Sequence, residues 1–468
     1  MSDTASTTPV VFGKPARALF EYDAAYRPLN HGSYGTVPRA VREARERYQR
    51  RHEARVDPFR RFEEPALLAG ARAAVAPLLG ADVHVDEVVL VANATTGVNA
   101  VVGSLAARWS AAAGDTVLCL SLIYDACRKT LVAQAETGRL LTEAVDVDVL
   151  ADSDDIIVRK VRDAHARIVA AGRHPRLLVV DAVASMPGVR LPWESLVAAS
   201  RDLGMLSLVD AAHGIGQLDL HHVGRPDVRP DFLVTNCHKW LFVPRGCALL
   251  YVPFRNQHHL YTSLPTSHGY LTPSLRPPLP AAPSRPDAPN YFVHLFADVG
   301  TQDHSAYLCI PDAIAFRRDV CGGEDAIRNY CFQLAASGGD AVARILETEV
   351  MDHPQSNIRQ CQLVNVRLPL DIRSDADIAA ATPSGIVSSS VIPLSRLPQL
   401  WEWMQRQMVD VHNTFIPAIF YRGAFWARLS AQIYLDQDDF EWAGQALLDI
   451  CQRANKGEWD TQKTEQTE

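Results

Sequence analysis

The chain has 468 residues, enough for two or three domains and a large buried core. With 47% hydrophobic and 21% charged residues it has a globular composition, and a net charge of -8 removes any electrostatic reason to expect nucleic acid or an anionic membrane as partner. No apolar run approaches membrane-spanning length, and the nine cysteines form no CxxC pair, so reduced thiols in a cytoplasmic protein are expected.

Residues 1–9 read as a mobile tail. MSDTASTTPVVFGKP has neither an apolar stretch nor an Arg-rich amphipathic pattern, so no targeting signal is expected. LNHGSYGTVP (Leu29–Pro38) reads as a Gly-rich turn before a charged amphipathic helix over Ala40–Arg55. VVLVANATTGVNAVV (Val88–Val102) is a strand–turn–helix unit that places Thr95, Thr96 and Gly97 at a helix N-terminus. Backbone donors, two hydroxyls and a small residue there suit a phosphate dianion; a plain helix cap by Thr95 or Thr96 is the alternative. Tyr124 follows the apolar strand Thr116–Ile123, and RLLVVDAVASMPG (Arg176–Gly188) is an apolar run ending in Asp181, with Ser185 beyond it.

The next two segments carry the chemistry. MLSLVDAAHGIGQLDL (Met205–Leu220) ends an apolar run in Asp210, with His213 three positions on. A strand-end carboxylate costs desolvation energy unless it meets a donor or a cation, and a protonated pyridine nitrogen is such a partner. DFLVTNCHKW (Asp231–Trp240) runs from a buried strand straight into Asn236, His238 and Lys239. A lysine at the mouth of an apolar strand loses hydration, its pKa falls, and the free amine can form a Schiff base with an aldehyde; a strand-end lysine reaching for solvent is the alternative. Three buried strands with polar carboxyl ends describe an open α/β sheet, mainly parallel, with its ligand crevice at those ends.

Residues 265–291 are rich in Pro, Ser and Ala without periodicity, as in an active-site or interface loop or an unstructured insertion. The spacing predicts a strand over Gln362–Pro369 and helices over Pro398–Asn413 and Asp438–Ala454. FWARLSAQIYL (Phe425–Leu435) sets Arg428 in apolar surroundings, where a guanidinium needs an anion: a substrate carboxylate or a structural ion-pair partner. The expected organisation is an arm and helix over 1–64, a large domain over 65–309, a smaller α+β domain over 310–455 and a disordered tail over 456–468.

An Asp at one strand end with His three residues on, then a strand ending in Asn-x-His-Lys, resembles the class V aminotransferase family of fold-type I pyridoxal phosphate (PLP) enzymes. The resemblance implies that Lys239 carries PLP covalently, that Asp210 bonds its pyridine nitrogen and that His213 lies beside its phenolic oxygen. It implies phosphate contacts from Thr95, Thr96, Gly97, Asn236 and His238, stacking by Tyr124, and places for Asp181 and Ser185 in the cofactor-binding set. Gly300 and Thr301 resemble the pair that reaches the neighbouring subunit's phosphate, which implies a homodimer with shared active sites. Asn30, His31 and Ser33 resemble the loop that folds over the substrate, with Arg428 on its α-carboxylate.

Further stretches, including VANATTGVN, VASMPGVRLP and NCHKWLFVPRGCAL, are similar to the fungal carbon–sulfur lyases of ergothioneine biosynthesis, which act on hercynylcysteine sulfoxide. This similarity runs from Phe12 to Lys456. It implies a β-elimination in which Lys239 removes the Cα proton, Tyr124 protonates the departing sulfur, and pyruvate and ammonia follow. His213 stands where that pattern has glutamine, and Tyr421–Ala424 replaces a more basic run. Alternatives are an epimerase of the isopenicillin N type, an enzyme of the loline type, and a cysteine desulfurase, for which Cys321 and Cys361 are the regional candidates.

Overall fold

The computed structural model describes residues 9–262, 264–266, 269–276, 290–381 and 391–460. Helix α1 (Arg39–Ala54) begins directly after Pro38, and helix α2 (Glu64–Val75) follows a short irregular helical turn. Strand β1 (Val88–Val91) feeds α3 (Ala94–Ala106), and β2 (Asp115–Leu120) feeds α4 (Asp125–Glu136). Then come β3 (Leu141–Val145), α5 (Asp154–Ala170), β4 (His174–Asp181), α6 (Trp193–Asp202), β5 (Leu206–Asp210) and β6 (Phe232–Asn236). The short helix α7 (Cys237–Trp240) and strand β7 (Ala248–Tyr251) complete the series.

These seven strands form one sheet in the order β1-β7-β6-β5-β4-β2-β3. All neighbours are parallel except β7, which runs antiparallel to β1 and β6. Such a sheet is covered on both faces, which is why its strands read as unbroken apolar runs rather than as alternating ones. Alternation is still present as a division between faces. Leu178 and Val180 enter one core and Leu177 and Val179 the other; Leu118 and Leu120 are likewise separated from Val117 and Cys119. Each side chain so buried stabilises the fold by about 1.5–3 kcal/mol.

A second sheet lies towards the C-terminus. Helix α8 (Glu324–Leu346) precedes β8 (Leu363–Arg367), and helix α9 (Leu397–Asp410) precedes β9 (Ala418–Tyr421) and β10 (Ala424–Ser430). The order β8-β10-β9 is antiparallel throughout, and α10 (Gln437–Asn455) packs against α8. The N-terminal segment reaches this sheet: the backbone N–H of Ser430 donates to Leu29 O at 2.9 Å.

Two expectations change. Leu29–Pro38 is not only a turn, because His31–Tyr34 forms a short helix. The tail expected to be disordered over 456–468 is held at its start: Trp459 is buried under the Arg396 guanidinium, 4.6 Å from its ring centre, and Arg396 binds Asp460 at 2.7 and 2.9 Å. Burial of one aromatic ring and a bidentate ion pair suffices to hold that stretch. Of the Pro-rich segment 265–291, residues 267, 268 and 277–289 lie outside the described residues, as do 1–8 and 461–468. No helix among the described residues is long and apolar enough to cross a membrane.

Candidate active site

Strand ends make the floor of the site. β4 and β5 pair in a register that sets Asp181 directly opposite Asp210, and both side chains are buried. Asp210 Oδ1 accepts the Ala212 backbone N–H at 2.9 Å, and its Oδ2 accepts the Cys127 thiol at 3.0 Å. Carboxylates set this close disfavour each other's charge. Burial first, and the charge of Asp210 second, raise the Asp181 pKa well above its ordinary value. Its Oδ2 has no hydrogen-bond partner.

Lys239 lies on α7, immediately past the end of β6. Its pKa is lowered to about 8, chiefly by burial and then by the Arg428 charge, against the pull of Asp210 and Asp181. Its Nζ is 3.0 Å from His213 Nε2. The N-terminal turn holds the lysine from behind. His31 Nε2 meets the Lys239 carbonyl oxygen at 2.6 Å, while its Nδ1 meets the Tyr434 hydroxyl at 2.9 Å. Burial takes the His31 pKa down to about 3, so that ring is neutral. Gly35, at φ 65°, brings the turn so close that an added Cβ would stand 2.0 Å from His238 O.

The wall is the N-terminus of α3. Its cap is Asn93, whose Oδ1 accepts Thr96 N at 2.8 Å and Thr96 Oγ1 at 3.1 Å. Asn236 Oδ1 accepts Ala94 N at 2.9 Å, pinning the helix end to the end of β6. Gly97 lies against Val234, where a Cβ would come within 2.8 Å of a methyl carbon; it lets α3 settle on β6. Tyr124 caps α4 with 45% of its surface exposed, and burial of the remainder raises its phenol pKa, with the Asp210 charge adding to the effect. The phenol is protonated at neutral pH.

These groups enclose a cavity of ≈ 170 Å³. Lys239, Asp210, Asp181, His213, Asn236 and His238 line it from the sheet side, and Thr95, Tyr124, Ser33 and Ser185 close its flanks. The structure therefore brings together most of the residues singled out from the sequence.

Others stand elsewhere. Thr96 and Gly97 serve the helix cap and helix packing, and His31 supports the lysine backbone. Arg428 and Asn30 sit one layer behind the cavity. The guanidinium donates to Ser185 O at 2.6 Å, to Asn30 Oδ1 at 2.9 Å and to Ser33 Oγ at 2.8 Å, while its Nε has no partner. The Arg428 hydrogen bonds among the described residues all go to neutral oxygens, and burial lowers its pKa to about 10. A buried cation held only by neutral oxygens favours an incoming anion. Gly300 and Thr301 line a different cavity of ≈ 590 Å³ with Arg60, Glu64 and Phe296, so within one chain they do not meet Lys239.

Sequence reasoning missed Cys127, which sits one helical turn beyond Tyr124 and donates to Asp210. It also missed the supporting role of Gly35. The glycine was visible in HGSYG, but nothing in YDACRKT marks a thiol that will face a strand 83 residues away.

Residues 35–274 match the family described as aminotransferase class-V. The chain is 38% identical over 460 residues to the "L-cysteine desulfhydrase-like protein lolT1" of Epichloe uncinata, covering 96% of this chain and 98% of that one. It is 28% identical to the hercynylcysteine sulfoxide lyase of Schizosaccharomyces pombe, covering 94% and 98%. A cysteine desulfurase from Thermococcus onnurineus superposes with a TM-score of 0.69 at 15% identity, over 95% of this chain and 100% of that one, which speaks to the fold.

Proposed function

The chain belongs to the class V aminotransferase family, and from that membership we propose a PLP-dependent carbon–sulfur lyase that cleaves a cysteine-derived S-conjugate by β-elimination. The cavity's donor set suits the cofactor. An amine with a depressed pKa, an ionisable carboxylate at a strand end and the capped N-terminus of α3 match an aldehyde, a pyridine nitrogen and a phosphate respectively. Lys239, Asp210, Thr95, Asn236 and His238 would hold the group. When bound, PLP supplies an electron sink that lets a bond at the substrate Cα break.

Every other part of the chemistry falls to the chain. The Lys239 amine would serve as the base that takes the substrate Cα proton. Asp210, held in position by its bonds from Ala212 and Cys127, would keep a proton on the pyridine nitrogen. Arg428, steadied by Asn30, Ser33 and Ser185, attracts the α-carboxylate. Tyr124 delivers its phenolic proton to the sulfur as the Cβ–S bond breaks. With a sulfoxide the leaving group is a sulfenic acid, and the three-carbon fragment hydrolyses to pyruvate and ammonia.

One observation carries elimination over persulfide transfer. A desulfurase needs a mobile nucleophilic thiol, yet all nine cysteines are buried. Burial pushes Cys321 up to about 12 and Cys361 up to about 11, so neither supplies a thiolate. The segments outside the described residues contain no cysteine.

For the substrate, we favour hercynylcysteine sulfoxide. The Tyr34 ring, 70% exposed beside Ser33 and within electrostatic reach of Tyr124, offers an aromatic face to a quaternary ammonium. The name of the Epichloe relative favours free L-cysteine as the second reading. Purified enzyme should be given hercynylcysteine sulfoxide, a methyl sulfoxide of cysteine and L-cysteine in parallel, with pyruvate as readout. A higher kcat/KM on L-cysteine selects the second reading, and no pyruvate from any of the three removes the lyase assignment. We further propose a homodimer whose sites are completed across the interface by Gly300 and Thr301.

A further inference from the structure

We infer that Trp240 is a positioning residue that fixes the proton of His213 on Nε2, so that this imidazole presents only a donor to the amine of Lys239. The geometry allows one arrangement. An indole Nε1–H has a proton to give and no lone pair to receive one. Trp240 Nε1 lies 3.1 Å from His213 Nδ1, so Nδ1 is the bare nitrogen. A neutral ring then carries its proton on Nε2, 3.0 Å from Lys239 Nζ. What such an N–H can face is a lone pair, that of a free amine. An ammonium would set N–H against N–H.

The imidazolium is excluded by the same contact, because its Nδ1–H would point at the indole N–H. Burial, and then the charges of Lys239 and Arg428, also hold the His213 pKa well below its usual value. Trp240 is fully buried and His213 nearly so, which leaves neither group an alternative partner in solvent. The backbone of His213 is steadied by Gln217, whose amide donates to His213 O and whose Oε1 accepts Gln362 N at 2.7 Å. Other charges act on Lys239 as well: Arg428 disfavours its ammonium, while Asp210 and Asp181 favour it. His31 and His238 are the other titratable rings near His213.

This explains a departure in the sequence. A glutamine at 213 would accept the indole proton on its amide oxygen and present its amide N–H to the lysine. A histidine can play the same part only if something decides its tautomer. Trp240, adjacent to Lys239 in the chain, makes that decision. The consequence for aldehyde capture rests on the reading of Lys239 as the cofactor-holding amine; the tautomer itself does not.

The test uses full-length protein freed of cofactor, with Lys239 acetylation followed against pH by mass spectrometry. In the parent the labelling midpoint should lie at about 8. In Trp240→Phe the imidazole is free to move its proton to Nδ1 and accept from an ammonium. The midpoint should rise by about one pH unit or more, leaving roughly tenfold less free amine at pH 7. His213→Gln should keep the parental midpoint, whereas a general loosening of the site would move both variants. An unchanged midpoint in Trp240→Phe, or an equal rise in His213→Gln, overturns the inference. Should Trp240→Phe fail to fold, 15N-histidine NMR of the parent decides, with the His213 signals identified by their loss in His213→Gln. A protonated Nε2 and bare Nδ1 support the inference, and the opposite tautomer overturns it. Neither readout depends on which substrate bond is cleaved, so this inference and the lyase reading can fail separately.

Discussion

Gly35→Ala is the substitution whose effect follows most directly from the structure. The new Cβ would lie 2.0 Å from His238 O and 2.8 Å from Lys239 O. A carbon–oxygen contact settles at about 3.3 Å, so the lysine-bearing backbone must retreat by about 1.3 Å. Both obstructing atoms belong to backbone, which cannot swing aside as a long side chain would. At φ 65° and ψ 175° the backbone is in a region essentially restricted to glycine, which costs an L residue about 1–3 kcal/mol, and overpacking of this kind costs about 1–3 kcal/mol more. A displacement of about 1 Å at a reacting group lowers rate by roughly a hundredfold. Gly138→Ala is the matched control, because Gly138 has φ 71° and nothing within 4 Å of the added carbon. Urea midpoints, cofactor absorbance per chain and pyruvate release should be compared for both variants. Gly35→Ala should lose stability beyond the control and most of its bound cofactor. If the two variants lose equal stability and both release pyruvate at the parental rate, the close seating of the turn on Lys239 is refuted.

Lys239→Ala should lose the visible absorbance of the bound cofactor on dialysis, and borohydride should no longer fix it to the chain; pyridoxyl label recovered on another lysine would reassign the amine. Tyr124→Phe should bind cofactor normally yet cleave the C–S bond on the order of a hundredfold more slowly, the size expected for a lost general acid. Parental pyruvate release from that variant would leave Tyr124 a stacking role alone. Because the Lys239 pKa is lowered to about 8, the free amine is the minor form below that pH and the major form above it. PLP uptake by cofactor-free protein, followed by stopped-flow absorbance, should therefore accelerate up to about pH 8 and level off. Continued acceleration to pH 10 would mean a solvated lysine. Sedimentation should give a dimer at assay concentration, and a fully active monomer would remove Gly300 and Thr301 from the site.

The sheet was legible because burial on both faces writes each parallel strand as an apolar run, and a polar residue ends each run at the crevice. Asp210 and Lys239 could be placed for that reason. The register that opposes Asp181 to Asp210 could not, since each run alone is compatible with a shift along its neighbour. His31 and Arg428 were read as facing the substrate; the structure sets His31 on the Lys239 backbone and Arg428 against Ser185, Asn30 and Ser33. Which way a side chain points depends on partners such as Tyr434 and Asn30, hundreds of residues distant in the chain. The held end at Trp459 escaped for a related reason: its polar surroundings read as solvated until Arg396 is seen above the ring.

The layering of chain segments around Lys239 has a consequence for biosynthesis. The lysine turn is braced by His31 from the first tenth of the sequence, and His31 is in turn braced by Tyr434 near its end. Ser430 adds a second tie, donating its backbone N–H to Leu29 O and accepting Gly32 N on its hydroxyl at 3.1 Å. A ribosome making this protein in order finishes the seven-stranded sheet long before it releases Tyr434. Until then the nascent chain carries a reactive amine in a half-built pocket with its rear support undocked. Competence to retain the cofactor should thus appear late and abruptly in translation, and a transcript truncated before residue 424 should yield protein that has its large sheet but captures aldehyde poorly.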